Sequence, residues 1–398
     1  PQQKKDLIMA EHLSSKVINY ASILEDNTKE QAIISGTMPF IFPHIALMPD
    51  AHLGIGATVG SVIPTQGAIM PAAIGVDIGC GMGSLRTNLT VSDIEGLDLK
   101  ELRQEIERYI PLSPGHYNSK VHQDAEPYVE RLEDEISRIG VYPDDFAKNW
   151  RLQLGSLGGG NHFIEICRDE EDRIWIFLHS GSRGVGNKMA QKFIKEAQEL
   201  CEKRFIDLPH KDLAYFVEDD PQFDEYRRHL HWAQEFAYMN RELMMKRVRR
   251  ALENWYGKPV EETELILCHH NYTTKEKHFS KEVWVSRKGA IDAHEGKMGL
   301  IPGSMGTHSY VVRGKGNHVA LHSAPHGAGR QHSRSQARKL FDLEDLKARM
   351  EGIEWREDKA FIDEIPDAYK PINQVMEDSA DRVEIVHELS QLINIKGQ

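Results

Sequence analysis

Gly155-Ser-Leu-Gly-Gly-Gly-Asn-His-Phe-Ile-Glu-Ile-Cys167, then Arg168-Asp-Glu-Glu-Asp-Arg173, then Ile174-Trp-Ile-Phe-Leu-His-Ser-Gly-Ser-Arg183: two apolar runs flank a short polar turn. That pattern predicts a β-hairpin. Pairing Cys167 with Ile174 beside the turn carries the register back to His162 opposite His179. Directly opposed residues hold their Cβ atoms about 4.5–5.5 Å apart. Two imidazoles at that spacing, each bordering a Gly-rich loop, suit one metal ion or two adjacent ions. A slip of one residue would put them on opposite faces.

Working outward, Gly75-Val-Asp-Ile-Gly-Cys-Gly-Met-Gly83 sets Asp77 three residues before Cys80. The glycines let the backbone bend until carboxylate and thiol converge. The plain alternative is a tight turn around an inert buried Cys. Cys268-His-His-Asn271 ends an apolar run, where one histidine of the pair faces a site and the other faces away; His270 is the preferred ligand. Asp77, Cys80, His162, His179 and His270 are too many for one closed tetrahedral site and enough for two ions sharing a thiolate. Ligand softness alone suggests zinc.

Four loops surround these strands: Gly158-Gly-Gly-Asn161, Ser180-Gly-Ser-Arg-Gly184, Pro302-Gly-Ser-Met-Gly306 and His326-Gly-Ala-Gly-Arg330. Successive backbone N–H groups in such loops bind anionic oxygens. Arg330, Arg334, Arg338 and Lys339 form a basic run that suits a polyanion. Neither a Walker A loop nor a dinucleotide fingerprint is present, nor the Lys-x-Asp-Gly run of lysine-adenylating ligases. His326 can therefore serve as the nucleophile toward an α-phosphate, or act only as a hydrogen-bonding loop histidine.

The 398 residues carry 49 Lys and Arg against 61 Asp and Glu, a net charge of −12. Such a balance argues against a protein that coats nucleic acid or membrane non-specifically. Four Cys and no long apolar run predict a cytoplasmic protein without a membrane partner. A helix is expected over 28–36, capped by Asn27 or Thr28, then buried extended chain over 38–48, and short strands and loops over 57–87. Residues 92–150 read as a charged helical insertion in a β-rich body, broken at 111–115. Long helices follow over 187–206 and 222–256, the second either continuous or interrupted. In the second, Arg241, Lys246, Arg247, Arg249 and Arg250 read as a solvated face in preference to a partner or RNA contact. Strands return over 265–270, 283–285 and 310–312. Helices over 336–351 and 371–380 precede a strand or helix over 383–395.

Seven ordered motifs now stand out: Met48-Pro-Asp-Ala-His52, Gly75-Val-Asp-Ile-Gly-Cys-Gly81, Gly160-Asn-His-Phe163, Leu178-His-Ser-Gly-Ser-Arg183, His269-His-Asn271, Pro302-Gly-Ser-Met-Gly306 and His326-Gly-Ala-Gly-Arg330. Together they resemble the RtcB family, GTP-dependent ligases that join RNA 3′-phosphate ends to 5′-hydroxyl ends. The resemblance implies an α+β (mixed α/β) fold, one catalytic domain over 1–398 with a central metal and nucleotide cleft. It implies two manganese ions (Mn2+) held by Asp77, Cys80, His162, His179 and His270, with Cys80 bridging. It implies GTP as cofactor and His326 as the guanylylated nucleophile, with Asp50 orienting it or assisting departure of pyrophosphate. Asn161, Glu165, Ser304, Gly327, Ala328, Gly329 and Lys396 match GMP-contacting positions. Glu165 would lie on the strand face opposite His162, so a bend is required there. Arg183, Arg330 and, more distantly, Arg334 match positions that hold RNA phosphate.

The implied reaction opens any 2′,3′-cyclic phosphate, forms a histidine–GMP intermediate, guanylylates the RNA 3′-phosphate and joins it to the 5′-hydroxyl, in RNA repair or tRNA splicing. Two other readings are a metal-dependent 2′,3′-cyclic phosphoesterase and an RNA-binding accessory protein, neither of which ligates. Ala324-Pro325 before His326, Gly159, and a short segment over 111–125 depart from the family pattern. These differences suit a specialised paralogue with a release-factor-like or archease-like partner and no stable DNA partner.

Overall fold

The computed structural model describes residues 10–398, so the first nine positions of the expected single domain lie outside the described residues. The hairpin forms from strands Phe163–Arg168 and Arg173–Ser180, but its register differs by one. Cys167 faces Trp175, and Phe163, not His162, faces His179. The cause lies in the turn. Asp169 Oδ1 accepts the N–H groups of Glu171 and Arg173, which draws Arg168 into the ladder opposite Ile174.

This hairpin sits inside an eight-stranded sheet. Strand Gly81–Thr90 pairs antiparallel with Arg173–Ser180, and Glu262–His269 pairs antiparallel with Gly81–Thr90. On the other side Val383–Ile395 pairs with Phe163–Arg168, placing Asn394 opposite Glu165. Cys80 precedes its strand by one residue, His270 follows its strand by one, and Lys396 follows its strand by one. Together with His179 they gather at one end of the sheet.

A six-stranded sheet supplies the opposite wall. It includes Ile45–His52, which carries Asp50, and Lys281–Lys288 beside Asn271–His278. His270 is the single residue between a strand of one sheet and a strand of the other. Its N–H donates to Cys80 O at 2.8 Å, and its carbonyl accepts from Gly289 N at 2.8 Å. A two-stranded ribbon, Ala290–Asp292 with Ser323–Pro325, leads into His326, with Pro325 opposite Ala290.

The helix Pro221–Tyr256 runs 36 residues without interruption beneath the first sheet. Its arginines correct the solvated-face reading. Arg241 and Arg247 are buried, while Lys246 and Arg250 are exposed. Arg247 is bound by Asp124, Asn118 Oδ1 and Gly155 O. The first helix spans Asp26–Gly36 with Glu25 at its N-cap, so neither Asn27 nor Thr28 caps it. The helix expected over 187–206 begins at Arg183 and ends at Lys203. The segment 336–351 divides into Arg334–Leu340 and Leu343–Arg349, because Asp342 caps the second helix with a capping box. The final segment Val383–Ile395 is a strand.

Residues 92–150 are helical, with Leu99–Tyr109 and Glu126–Ile139, but they are built into the body. Leu102, Ile106 and Ile110 share one buried cluster with Ile164, Ile176 and Ile393 of the central sheet. Ile106→Ala is expected to lower global stability by about 3 kcal/mol, read by equilibrium denaturation. A peripheral insertion would melt separately and leave the main transition in place.

Candidate metal and nucleotide site

Two groups of ligand atoms share Cys80: Asp77, Cys80 and His162, and Cys80, His179 and His270. Cys80 Sγ lies 3.3 Å from His162 Nε2 and 3.1 Å from His179 Nε2. His162 Nε2 is 2.9 Å from Asp77 Oδ2, and His179 Nε2 is 3.1 Å from His270 Nε2. The convergence predicted from the hairpin is present although the register is not. His162 precedes the strand, so strand alternation does not govern it. The bend required between His162 and Glu165 falls there too, leaving Phe163 and Glu165 on one face.

The donor set fits divalent cations. His162 Nδ1 donates to Leu157 O at 3.0 Å and His179 Nδ1 to Asn161 O at 3.1 Å, so in the neutral rings each Nε2 is a lone pair aimed inward. Burial, then the neighbouring Asp77, pushes the Cys80 thiol well up. Burial, then nearby histidines, holds His179 and His270 well below the usual imidazole range. Burial also works against the Asp77 carboxylate, but the Ser182 N–H and, when its Nε2 carries a proton in place of a cation, His162 outweigh it and hold its pKa below the ordinary value. Lone pairs crowded around a thiol are relieved by cations bound between them. Gly181 makes room, since a Cβ there would lie 2.1 Å from Asp77 Oδ1.

Arg241 was the functional neighbour hidden in the helix-face cluster. Its Nη1 donates to Gly79 O at 3.1 Å and Ser180 O at 2.8 Å, and its Nη2 lies 2.9 Å from His269 Nδ1. It ties together the two turns that present Asp77 and His179, and its charge favours a Cys80 thiolate. His269 thus faces Arg241 while His270 faces the ligands, as the strand-end argument predicted.

His326 Nδ1 donates to Asp50 Oδ2 at 2.6 Å, which leaves Nε2 as the free lone pair. The His326 ring stands edge-on to His270 with centroids 4.7 Å apart. Asp50 is fully buried, and the same oxygen accepts the N–H groups of His326 and Gly327. These amides are therefore engaged by Asp50 and not by a phosphate. In the Pro302–Gly306 loop, Gly303 N donates to Ser309 Oγ and Ser304 N to Thr307 Oγ1. In the Ser180–Gly184 loop, Ser182 N donates to Asp77 Oδ1. Three of the four loops expected to cradle anions thus spend N–H groups internally.

A cavity of about 380 Å³ joins this histidine to the ligands Asp77, Cys80, His179 and His270. Asn161, Glu165, Ser304, Gly327, Ala328, Gly329 and Lys396 all line it, as do Arg330 and Arg334. Arg183 is outside the lining; its Nε donates to Ser156 Oγ at 2.9 Å behind Gly158. The basic run is not free. Arg330 binds Glu364 Oε1 at 2.8 Å, Arg334 binds Asp363 Oδ2 at 2.8 Å, and Arg338 binds Asp363 Oδ1 at 3.0 Å. Two buried acids carried by Lys359–Glu364 pair with its three arginines. Gly159 is accounted for by packing, because a Cβ there would lie 2.8 Å from Pro114 Cδ.

Several lining residues escaped sequence reasoning: Phe163, Lys288, Tyr369 and Asn394. Burial pushes Lys288 down to about 8. Asn394 Nδ2 donates to Glu165 Oε1 at 3.1 Å, and burial pushes Glu165 up to about 8. Phe163 closes the Gly160-Asn-His-Phe163 motif and Asn394 lies two residues before Lys396; nothing local marks Tyr369.

A family model described as tRNA-splicing ligase RtcB matches residues 31–397. The RNA-splicing ligase RtcB of Escherichia coli K12 is 46% identical over 407 residues, covering 98% of this chain and 99% of the relative. The tRNA-splicing ligase RtcB of Pyrobaculum aerophilum is 32% identical over 88% of this chain and 87% of its own. RNA-splicing ligase RtcB homolog 1 of Entamoeba histolytica is 31% identical over 91% and 82%.

Two outcomes test this geometry. Cys80→Ala removes the shared ligand and is expected to lower the manganese or zinc retained after dialysis, measured by atomic emission; undiminished metal content would refute the sharing. Folded Glu165 stays neutral up to about pH 8, whereas its ordinary value is 4.5. The folded state therefore holds more protons across that window and loses stability as pH rises. Glu165→Gln should gain melting temperature relative to the parent from about pH 5 to 8 and no further above it.

Proposed function

The chain belongs to the RtcB family, and from that premise we propose that it is a GTP-dependent RNA ligase acting on RNA 3′-phosphate or 2′,3′-cyclic phosphate ends and 5′-hydroxyl ends. The observation that carries this reading is His326, held by Asp50 at 2.6 Å with its ring against the metal-ligand candidate His270. A nucleophile with its second nitrogen free, beside a cation site and in a nucleotide-sized cavity, is arranged for phosphoryl chemistry.

In the proposed reaction His326 Nε2 attacks the α-phosphorus of GTP. A P–N bond forms, the bond to pyrophosphate breaks, and Asp50 steadies the charge that develops on the ring. An oxygen of the RNA 3′-phosphate then attacks that phosphorus and displaces His326. The 5′-hydroxyl finally attacks the activated RNA phosphorus, and GMP leaves. Two bound manganese ions would neutralise and polarise the phosphoryl oxygens, with Asp77, Cys80, His162, His179 and His270 as their ligands. Glu165, Asn161, Ser304 and Lys396 line the cavity that would take the guanylate, together with Phe163 and Tyr369. Arg330, released from Glu364 in exchange for a phosphate, is the better placed of the arginines to hold RNA. The reading places the reaction in RNA repair or tRNA processing in the cytoplasm. No helix among the described residues is long and apolar enough to cross a membrane.

GTP labelled at the α-phosphate, with Mn2+, should give a covalent protein adduct that is stable to alkali and lost in acid. His326→Ala should give none. Asp50→Asn should form it about 10²–10⁴-fold more slowly. An adduct that survives His326→Ala, or RNA joining that needs no GTP, would sink the proposal.

A further inference from the structure

The cleft accommodates the reacting phosphates, yet an RNA end continues beyond them. Residues 111–123, Pro-Leu-Ser-Pro-Gly-His-Tyr-Asn-Ser-Lys-Val-His-Gln, contain no acid in a chain that carries 61 Asp and Glu. His116, Lys120 and His122 are exposed along it. The segment is stitched to the metal-site loop: Ser113 N donates to Gly158 O at 2.9 Å, and Leu157 N to Pro111 O at 3.0 Å. The Arg183 guanidinium stands over the Tyr117 ring, 5.2 Å from its centroid.

The same segment runs on into a groove of about 630 Å³ whose lining includes Arg108, Tyr109, His122, Asp124, Arg247 and Arg250. Arg247 forms its floor and is spent on Asp124 and Gly155 O. Arg250 is exposed, makes no ion pair among the described residues, and covers one face of Tyr109 at 5.5 Å. Arg108 pairs only with Glu105 of its own helix, at 2.8 Å. Exposed cations beside a tyrosine in an open groove suit single-stranded nucleic acid, which is held through phosphates and stacked bases. The lining holds no aliphatic side chain, which ill suits a protein partner.

The geometry points to a track for single-stranded RNA adjoining the break, running from Arg183 and Tyr117 over Lys120 to the Arg108, Tyr109 and Arg250 groove. This assignment rests on the ligase reading for its substrate, but its test does not require ligation. The full chain and its Arg108→Glu, Lys120→Glu, Arg250→Glu triple variant would be titrated with labelled single-stranded RNA bearing a 3′-phosphate. One RNA would be roughly 20 nucleotides long and one about four, too short to reach the groove. For the long RNA, affinity should fall about tenfold or more, and the slope of log affinity against log salt should shrink by about 0.7 per lost phosphate contact. The short RNA and the rate of His326 guanylylation should not change, since none of the three side chains lines the nucleotide cavity. Unchanged affinity and slope for the long RNA, or equal weakening for both lengths, would overturn the track. If wild type forms no GMP adduct while the length-dependent loss persists, the track stands and the ligase reading fails.

Discussion

The structure depends on one unfavourable arrangement: inward-facing nitrogen lone pairs and a buried thiol around a point near Cys80. His162 and His179 cannot rotate away, because their Nδ1–H groups are fixed to the carbonyls of Leu157 and Asn161. Left empty, such a cluster raises the thiol and depresses the imidazoles, as burial does here. Cations between the ligands turn that cost into affinity. The surrounding architecture answers this demand. Arg241 anchors the turns, Gly181 leaves space for Asp77, and three neighbouring strands end at the same level.

The second half of the site is set by a different force. His326 belongs to no regular element and is positioned by Asp50, whose single oxygen accepts three N–H groups from the loop. The exchange explains why this glycine-rich loop does not use these amides as an anion nest. They orient the His326 ring instead. Arg330 and Arg334 follow the same pattern, pairing with the buried acids Asp363 and Glu364 at the cavity wall. Such pairing offsets the desolvation of the two carboxylates.

Much of this was legible in the sequence where chemistry and backbone period coincide. Two apolar runs and a polar turn fix a hairpin, and residues at strand ends beside glycines mark the ligands. The register slipped by one because the Asp169 side chain, not hydrophobic pattern, sets the turn. Arg241 and Arg247 were misread because the helix period reports which residues share a face, not what lies against that face. Asp363 and Glu364 escaped notice as partners because about thirty residues separate them from the arginines they neutralise. Tyr369 offers no local cue at all, since its role is created by the fold alone.

The strand Val383–Ile395 lies in the interior of the eight-stranded sheet, between Phe163–Arg168 and Ser309–Gly314. During synthesis the hairpin that holds His179 therefore has one open edge until Val383–Ile395 has left the ribosome, more than two hundred residues after the hairpin. Asp77, Cys80 and both hairpin histidines are made early, yet the carbonyl of His162 meets Lys396 only when that strand docks. Assembly is thus ordered in time as well as in space: a nascent chain exposes thiol and imidazole ligands long before the wall that encloses them exists. The fold makes closure of the cavity wait for the strand Val383–Ile395.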